Sequence, residues 1–225
     1  MNYVTKAGNL AKALENAKLK QRLELLRKLK KPGAFLELFA GKGFLSQIYA
    51  DYASQLFLVD ENMHYLQQAE KRVQGRVSYR LFCKNNLDFI REDLPSINDL
   101  CFVDFDAFGS PAKQIQSFFR TFVIKKPLLV AVTDGLGLRW GWVCTNYRSF
   151  ENYSREYFVE LPKQQVRRAV HVPRDFVKFF EDLLMMQIAK KYNYRLKKVN
   201  ESVRRRGFPV YLGYMLEPRK ETPVA

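Results

Sequence analysis

Five apolar runs occupy residues 34–39, 56–59, 77–82, 100–103 and 128–133, and stretches with helical periodicity separate them. Short apolar runs alternating with amphipathic segments constrain a chain more than any other feature, because they build parallel strands covered by helices on both faces. The helical stretches are residues 6–29, 45–52, 63–73 and 174–191. The first has apolar positions at Leu10, Leu14, Ala17, Leu25 and Leu29, lysines and arginines on its other face, and Pro32-Gly33 to stop it. Two further strand-like runs, 194–199 and 209–216, close the chain. The expected fold class is therefore α/β, a doubly wound, mostly parallel sheet. Its organisation divides into a basic N-terminal helical extension over 1–32 and a main α/β domain over 33–225, with a cap inserted at 135–173.

In such sheets ligands bind beyond the carboxyl ends of the strands, and two of these ends carry chemistry. After the first run comes Glu37-Leu38-Phe39-Ala40-Gly41-Lys42-Gly43, a glycine turn opening a helix, and the second run closes on Asp60 followed by Glu61. Glycines allow close approach to a ligand, and an acid at the next strand end suits a ribose diol. The dinucleotide pattern G-x-G-x-x-G fails at Ser46. A carboxylate at Glu37 would repel a pyrophosphate and suits a cationic group such as the amine of a methionine moiety. After the fourth run comes Asp104-Phe105-Asp106-Ala107-Phe108-Gly109-Ser110-Pro111. There an acid and a main-chain carbonyl can accept hydrogen bonds from an amine while a ring stacks on a flat base. An Asx turn at Asp106 and core packing of Phe108 are the structural alternatives.

Glu37 through Gly43, with Asp60, resembles the S-adenosylmethionine-binding motif of class I methyltransferases. The resemblance implies a Rossmann-like, seven-stranded sheet with an antiparallel last strand. It also implies S-adenosylmethionine as cofactor, held by Glu37, Phe39, Gly41, Gly43, Asp60 and Glu61. Asp88 would take the adenine amine, with Phe89 or Leu87 near the ring, unless Asp88 instead caps the short helix that follows. The segment from Asp104 to Pro111 resembles the D-x-D-P-F-G-S-P signature of the tRNA guanine exocyclic-amine dimethyltransferases, and Val130-Ala131-Val132-Thr133-Asp134 resembles their V-T-A-T-D run. The likeness covers roughly residues 34–140. Ala107 replaces the signature proline, and the large carboxyl-terminal domain of those enzymes has no counterpart in this sequence. By this likeness Asp106 and the carbonyl of Ala107 accept the N–H groups of a base amine and Phe108 stacks on the base. Asp104 sits at the cofactor edge or braces the turn.

Thirty-eight Lys and Arg against 23 Asp and Glu give a formal net charge of +15, which favours a polyanionic partner. Between 135 and 173 aromatic residues interleave with arginines, the pattern that an unpaired strand needs. Arg139, Trp140, Trp142, Arg148, Arg167 and Arg168 are the candidate nucleic-acid contacts there, with Arg204 and Arg205 near the final strands. A lid with its own small core and solvated arginines is the structural alternative. Three activities fit: methylation of an exocyclic amine in RNA, foremost a purine in a tRNA-like substrate; methylation of an adenine or cytosine amine in DNA; and a nucleic-acid binder of methyltransferase fold without turnover. No apolar run has the length of a membrane span, residues 1–31 are too charged for a signal peptide, and Cys83, Cys101 and Cys144 form no metal-binding spacing with His64 and His171. A cytoplasmic, metal-free protein is expected.

Overall fold

The computed structural model describes residues 17–107, 109–135, 173–203 and 210–219. In chain order the elements are α1 (Ala17–Leu26), β1 (Ala34–Leu38), α2 (Ser46–Tyr49), β2 (Gln55–Asp60), α3 (Met63–Val73), β3 (Ser78–Cys83) and α4 (Asn86–Glu92). A single 3-10 turn, Leu94–Ser96, leads to β4 (Leu100–Asp106), α5 (Ala112–Thr121), β5 (Leu128–Asp134), α6 (Pro173–Lys191), β6 (Tyr194–Val203) and β7 (Val210–Pro218). All seven strands join one sheet in the order β3-β2-β1-β4-β5-β7-β6. The first five strands run parallel, and β7 lies antiparallel to both β5 and β6. The expected mostly parallel sheet with an antiparallel last strand is the one observed.

Strand period separates two cores. Phe35, Leu56, Leu58, Phe102, Leu129 and Ala131 face α1, α2 and α3, whereas Leu36, Leu38, Phe57, Val103, Phe105 and Val132 face α4, α5 and α6. Helix α1 belongs to the first layer: Leu19, Leu25 and Leu26 are buried in its core, each worth roughly 1.5–3 kcal/mol relative to exposure. Within this helix the charged residue Arg22 is fully buried. A bulge in β6 between Lys198 and Asn200 turns Asn200 toward α1. There its amide donates to Gln21 O at 3.0 Å and accepts from Gln21 Nε2 at 2.9 Å. Gly213 of β7 makes room for this seat, since a Cβ there would lie 2.2 Å from Asn200 Oδ1 and 2.6 Å from Gln21 Nε2.

Several boundaries differ from the sequence pattern. The apolar run read as a strand over 100–103 continues as β4 through Asp106, because Asp104 and Phe105 keep alternating between faces and pair with β1 and β5. Helix α1 ends at Leu26, short of Pro32-Gly33, and α2 spans only four residues.

Candidate active site

The strand order reverses between β1 and β4, and beyond the carboxyl ends of these strands lies a cavity of about 670 Å³. One wall comes from the α1–α3 side: Lys18 of α1, Glu37, the turn Phe39–Lys42, Phe44 and Leu45. The floor includes Asp60, Glu61 and Asn62 at the end of β2, and Asp106 closes the β4 end. The other side brings Lys84, Asn85, Asn86 and Gln114, the last from α5.

The turn after β1 is built by its backbone. Phe39 adopts φ +66° and Gly41 φ +53°, while Ala40 N donates to Val59 O at 2.9 Å. Asp60 then ties two turns together, accepting from Gly41 N at 2.8 Å through one carboxylate oxygen and from Asn62 N at 2.9 Å through the other. A carboxylate has further lone pairs for a ligand. Gly43, at φ +74°, is required for a different contact: a Cβ there would come within 2.5 Å of Ala69 Cα, so this glycine lets α3 approach the turn.

Glu37, Asp104 and Asp106 project from the α1–α3 face of the sheet, and α1 supplies cations to this row of acids. Arg22 grips Asp104 with two nitrogens, at 3.0 and 2.6 Å, and donates to Thr133 Oγ1 at 2.8 Å; both charged side chains are 0% exposed. The Tyr49 hydroxyl also donates to Asp104. Burial alone would lower the pKa of Arg22, but the charge and hydrogen bonds of Asp104, with Tyr49 and Asp106, together outweigh it and the value is raised. Burial pushes the Asp104 carboxyl up, against the pull of Arg22. Lys18 ion-pairs with Asp106. Glu37, 2% exposed, accepts from Ser46 Oγ at 2.5 Å. Burial holds its carboxyl well above the usual carboxylate range, the Ser46 hydroxyl and Lys18 opposing and the two neighbouring acids adding to the rise.

Of the residues expected from sequence to bind cofactor, the structure brings Glu37, Phe39, Gly41, Asp60 and Glu61 to one cavity together with Asp106. Gly43 packs against α3, as above. Asp104, expected at the cofactor edge or bracing the turn, lies beneath α1 and outside the cavity lining, held by Arg22 and Tyr49. Asp88, expected at the adenine amine or as the cap of the helix, is not among the cavity-lining residues and is not the cap. Its side chain is 50% exposed and pairs with Arg91 at 2.9 Å one turn on, while Asn85 caps α4 by accepting from Leu87 N. Phe89 is a core residue, edge-on to Phe82 at 4.8 Å between ring centres. Ala107 is buried just past β4. Phe108, the segment holding Arg139, Trp140, Trp142, Arg148, Arg167 and Arg168, and the pair Arg204 and Arg205 lie outside the described residues. Sequence reasoning missed Lys18, Asn86 and Gln114 as cavity residues. The Asn-Asn pair before Asp88 was a signal for the second, whereas Lys18 is one lysine among many and Gln114 has no distinguishing context.

No protein-family model matches this sequence, and no curated protein matches it. Solved structures do. Trm1 from Pyrococcus horikoshii in complex with S-adenosyl-L-methionine superposes with a TM-score of 0.66 at 15% identity, over 90% of this chain and 55% of that one. The N-methyltransferase NodS from Bradyrhizobium japonicum WM9 gives a TM-score of 0.54 at 10% identity, over 92% and 97% of the two chains. A putative transferase, PH0793 from Pyrococcus horikoshii, gives 0.51 at 17% identity, over 90% and 64%. The chain thus has the Rossmann-like class I methyltransferase fold. It spans about 55% of the length of the Trm1 structure that it matches.

Proposed function

We propose that this chain transfers a methyl group from S-adenosylmethionine to an exocyclic amine of a nucleic-acid base, a purine of RNA being the first candidate. The observation that carries this reading is a single cavity at the strand-order reversal, bounded by the glycine turn and Asp60 on one side and by Asp106 on the other. The residues present fit the cofactor. Glu37 would receive its ammonium group, and Asp60 and Glu61 its ribose diol, with Phe39 and Gly41 giving close backbone approach. Once bound, the cofactor supplies a methyl group activated by a sulfonium. An exocyclic amine is a weak nucleophile because its lone pair is delocalised into the ring. Asp106 and the Ala107 carbonyl would accept its two N–H bonds, holding the lone pair toward the methyl, and Asp106 would take up the proton that the amine sheds. Lys18 leaves Asp106 as the amine arrives. Phe108 is assigned to stacking on the base, and the arginines and tryptophans of 135–173, with Arg204 and Arg205, to the strand around it. A base inside a duplex cannot reach such a pocket, so the target is unpaired or flipped.

Two observations support nucleic acid over other amines: the net charge of +15 and the resemblance of Asp104 through Pro111 to the tRNA-modifying signature. The test is transfer of labelled methyl from S-adenosylmethionine to total tRNA, duplex DNA and single-stranded DNA in parallel, with the labelled nucleoside identified by mass. Label on a purine amine of tRNA is the expected result. Label on DNA alone would move the substrate to DNA, and no label with cofactor bound would favour a binder without turnover. Asp106→Ala should cost at least about 100-fold in transfer and leave cofactor affinity nearly unchanged.

A further inference from the structure

Exposed rings and fixed cations gather at one side of the cavity mouth. Among the described residues six large apolar side chains are exposed, and three of them, Phe44, Met63 and Tyr65, belong to the turn after β1 and the first turn of α3. Phe44 is 64% exposed, Met63 53% and Tyr65 37%. Single exposed apolar residues need no explanation, whereas a group of them at a cavity edge marks an interaction site. Phe44 and Tyr65 both line the cavity that also holds Asp106.

Each ring has its own cation. The Arg72 guanidinium lies 4.2 Å from the centre of the Phe44 ring, and Lys42 Nζ lies 5.5 Å from the centre of the Tyr65 ring. Arg72 is fixed in place, since its Nε donates to Lys42 O at 2.9 Å and its Nη1 to Gln47 Oε1 at 3.3 Å. Both acceptors are neutral and leave its charge for an outside anion, whereas Arg76, one turn on, is paired with Asp51 at 2.6 Å. One guanidinium covers one face of a ring, and the exposure of Phe44 leaves its other face open. The acids on this side, Asp60 and Glu61, are those assigned above to the donor's ribose.

Flat apolar faces alternating with fixed cations suit an unpaired nucleic-acid strand, which presents a base to stack and a phosphate to neutralise at each step. A protein segment would use the apolar area and not the alternation, and the net charge of +15 also favours the polyanion. We infer that Phe44 and Tyr65, with Arg72 and Lys42, form a stacking rim for the unpaired RNA strand that flanks the target base. This rests on the proposed nucleic-acid substrate. The target base enters at Asp106, and a flanking base stacks on the open face of Phe44, with the strand's phosphates toward Arg72 and Lys42.

The test is fluorescence anisotropy of a labelled single-stranded RNA oligonucleotide of mixed sequence, with excess S-adenosylhomocysteine present. Phe44→Ala and Tyr65→Ala should each weaken RNA binding about 5- to 100-fold, and Phe44→Trp, which keeps a flat ring, should retain it. Arg72→Gln should reduce the slope of log affinity against log salt by about 0.7, the share of one phosphate contact. Calorimetric affinity for S-adenosylhomocysteine should move far less than RNA affinity in every variant. Full RNA affinity in Phe44→Ala, with the melting curve intact, overturns the rim, and methylation of tRNA by the same variant would leave the proposed activity standing. A loss that falls on S-adenosylhomocysteine instead gives the ring to the donor and overturns the rim as well. So does a wild-type dimer that Phe44→Ala dissociates without change in RNA binding, which would make this face an interface between copies. RNA binding that depends on Phe44, without methyl transfer to any nucleic acid, keeps the rim and removes the activity.

Discussion

Arg22 reaches from α1 into the row of acids on the sheet, and its loss would leave Asp104 charged and buried beneath a helix. Removing one partner of a buried ion pair costs about 3–5 kcal/mol, so Arg22→Ala should lower unfolding free energy by that amount in urea titrations. Arg22→Met combined with Asp104→Asn should recover much of it; an Arg22→Ala variant as stable as wild type would mean that Asp104 is neutral in the fold. Glu181 is a second buried acid, on α6 beside the equally buried Asp134. Burial first, and then the neighbouring carboxyl, holds its pKa well above the usual carboxylate range. The folded state therefore prefers the protonated acid. Its contribution to stability is complete below the unfolded pKa of about 4.3 and is lost as pH rises through the higher folded value. Glu181→Gln should accordingly flatten the decline of melting temperature between pH 5 and pH 8, and an unchanged decline would show that other groups set it. At this scale Asp106 was legible because an acid followed by small and aromatic residues at a strand end has few other uses. Arg22 was not, since a lone arginine among lysines on an amphipathic helix reads as solvated, and only tertiary pairing makes it a core residue.

The glycine turn shows what a motif reveals at the scale of elements and what it hides. Sequence placed Gly41 and Gly43 together as ligand-approach glycines, yet Gly43 is needed by the packing of α3 onto the turn. Adding a Cβ there meets backbone rather than a movable side-chain end, and does so in the left-handed region. Overpacking and conformational strain together should make Gly43→Ala cost about 2–4 kcal/mol, a fall of roughly 5–15 °C in melting temperature for a domain of this size. A near-unchanged melting curve would mean that α3 can shift outward freely. The strands were the most legible elements, because apolar runs with sharp ends admit few other structures. Their ends were less so: β4 runs on to Asp106 because an acid pointing under a helix can be satisfied by an arginine from elsewhere in the chain. The helix after β3 was less legible for a similar reason. Asp88 carries the charge, but it is Asn85 that caps the helix and Asn86 that lines the cavity.

For the whole molecule the charge excess makes the clearest prediction. Binding to RNA or single-stranded DNA should weaken steeply as salt rises from 50 to 200 mM, with a linear fall of log affinity against log salt. A flat response would remove the electrostatic case for a nucleic-acid partner. Not every cation counts toward that surface, since Lys18 and Arg22 are engaged by acids of the sheet. The seating of α1 has a consequence for how the molecule is made. Its floor is formed by β5 together with β6 and β7, so on a ribosome the helix emerges early and its docking ground emerges late. Until those strands arrive, Arg22 has no pocket and Asp104 no counter-ion. The nascent sheet must wait, with an uncovered face, for the tail of the domain, an interval in which chaperone occupancy on α1 and β4 should be greatest.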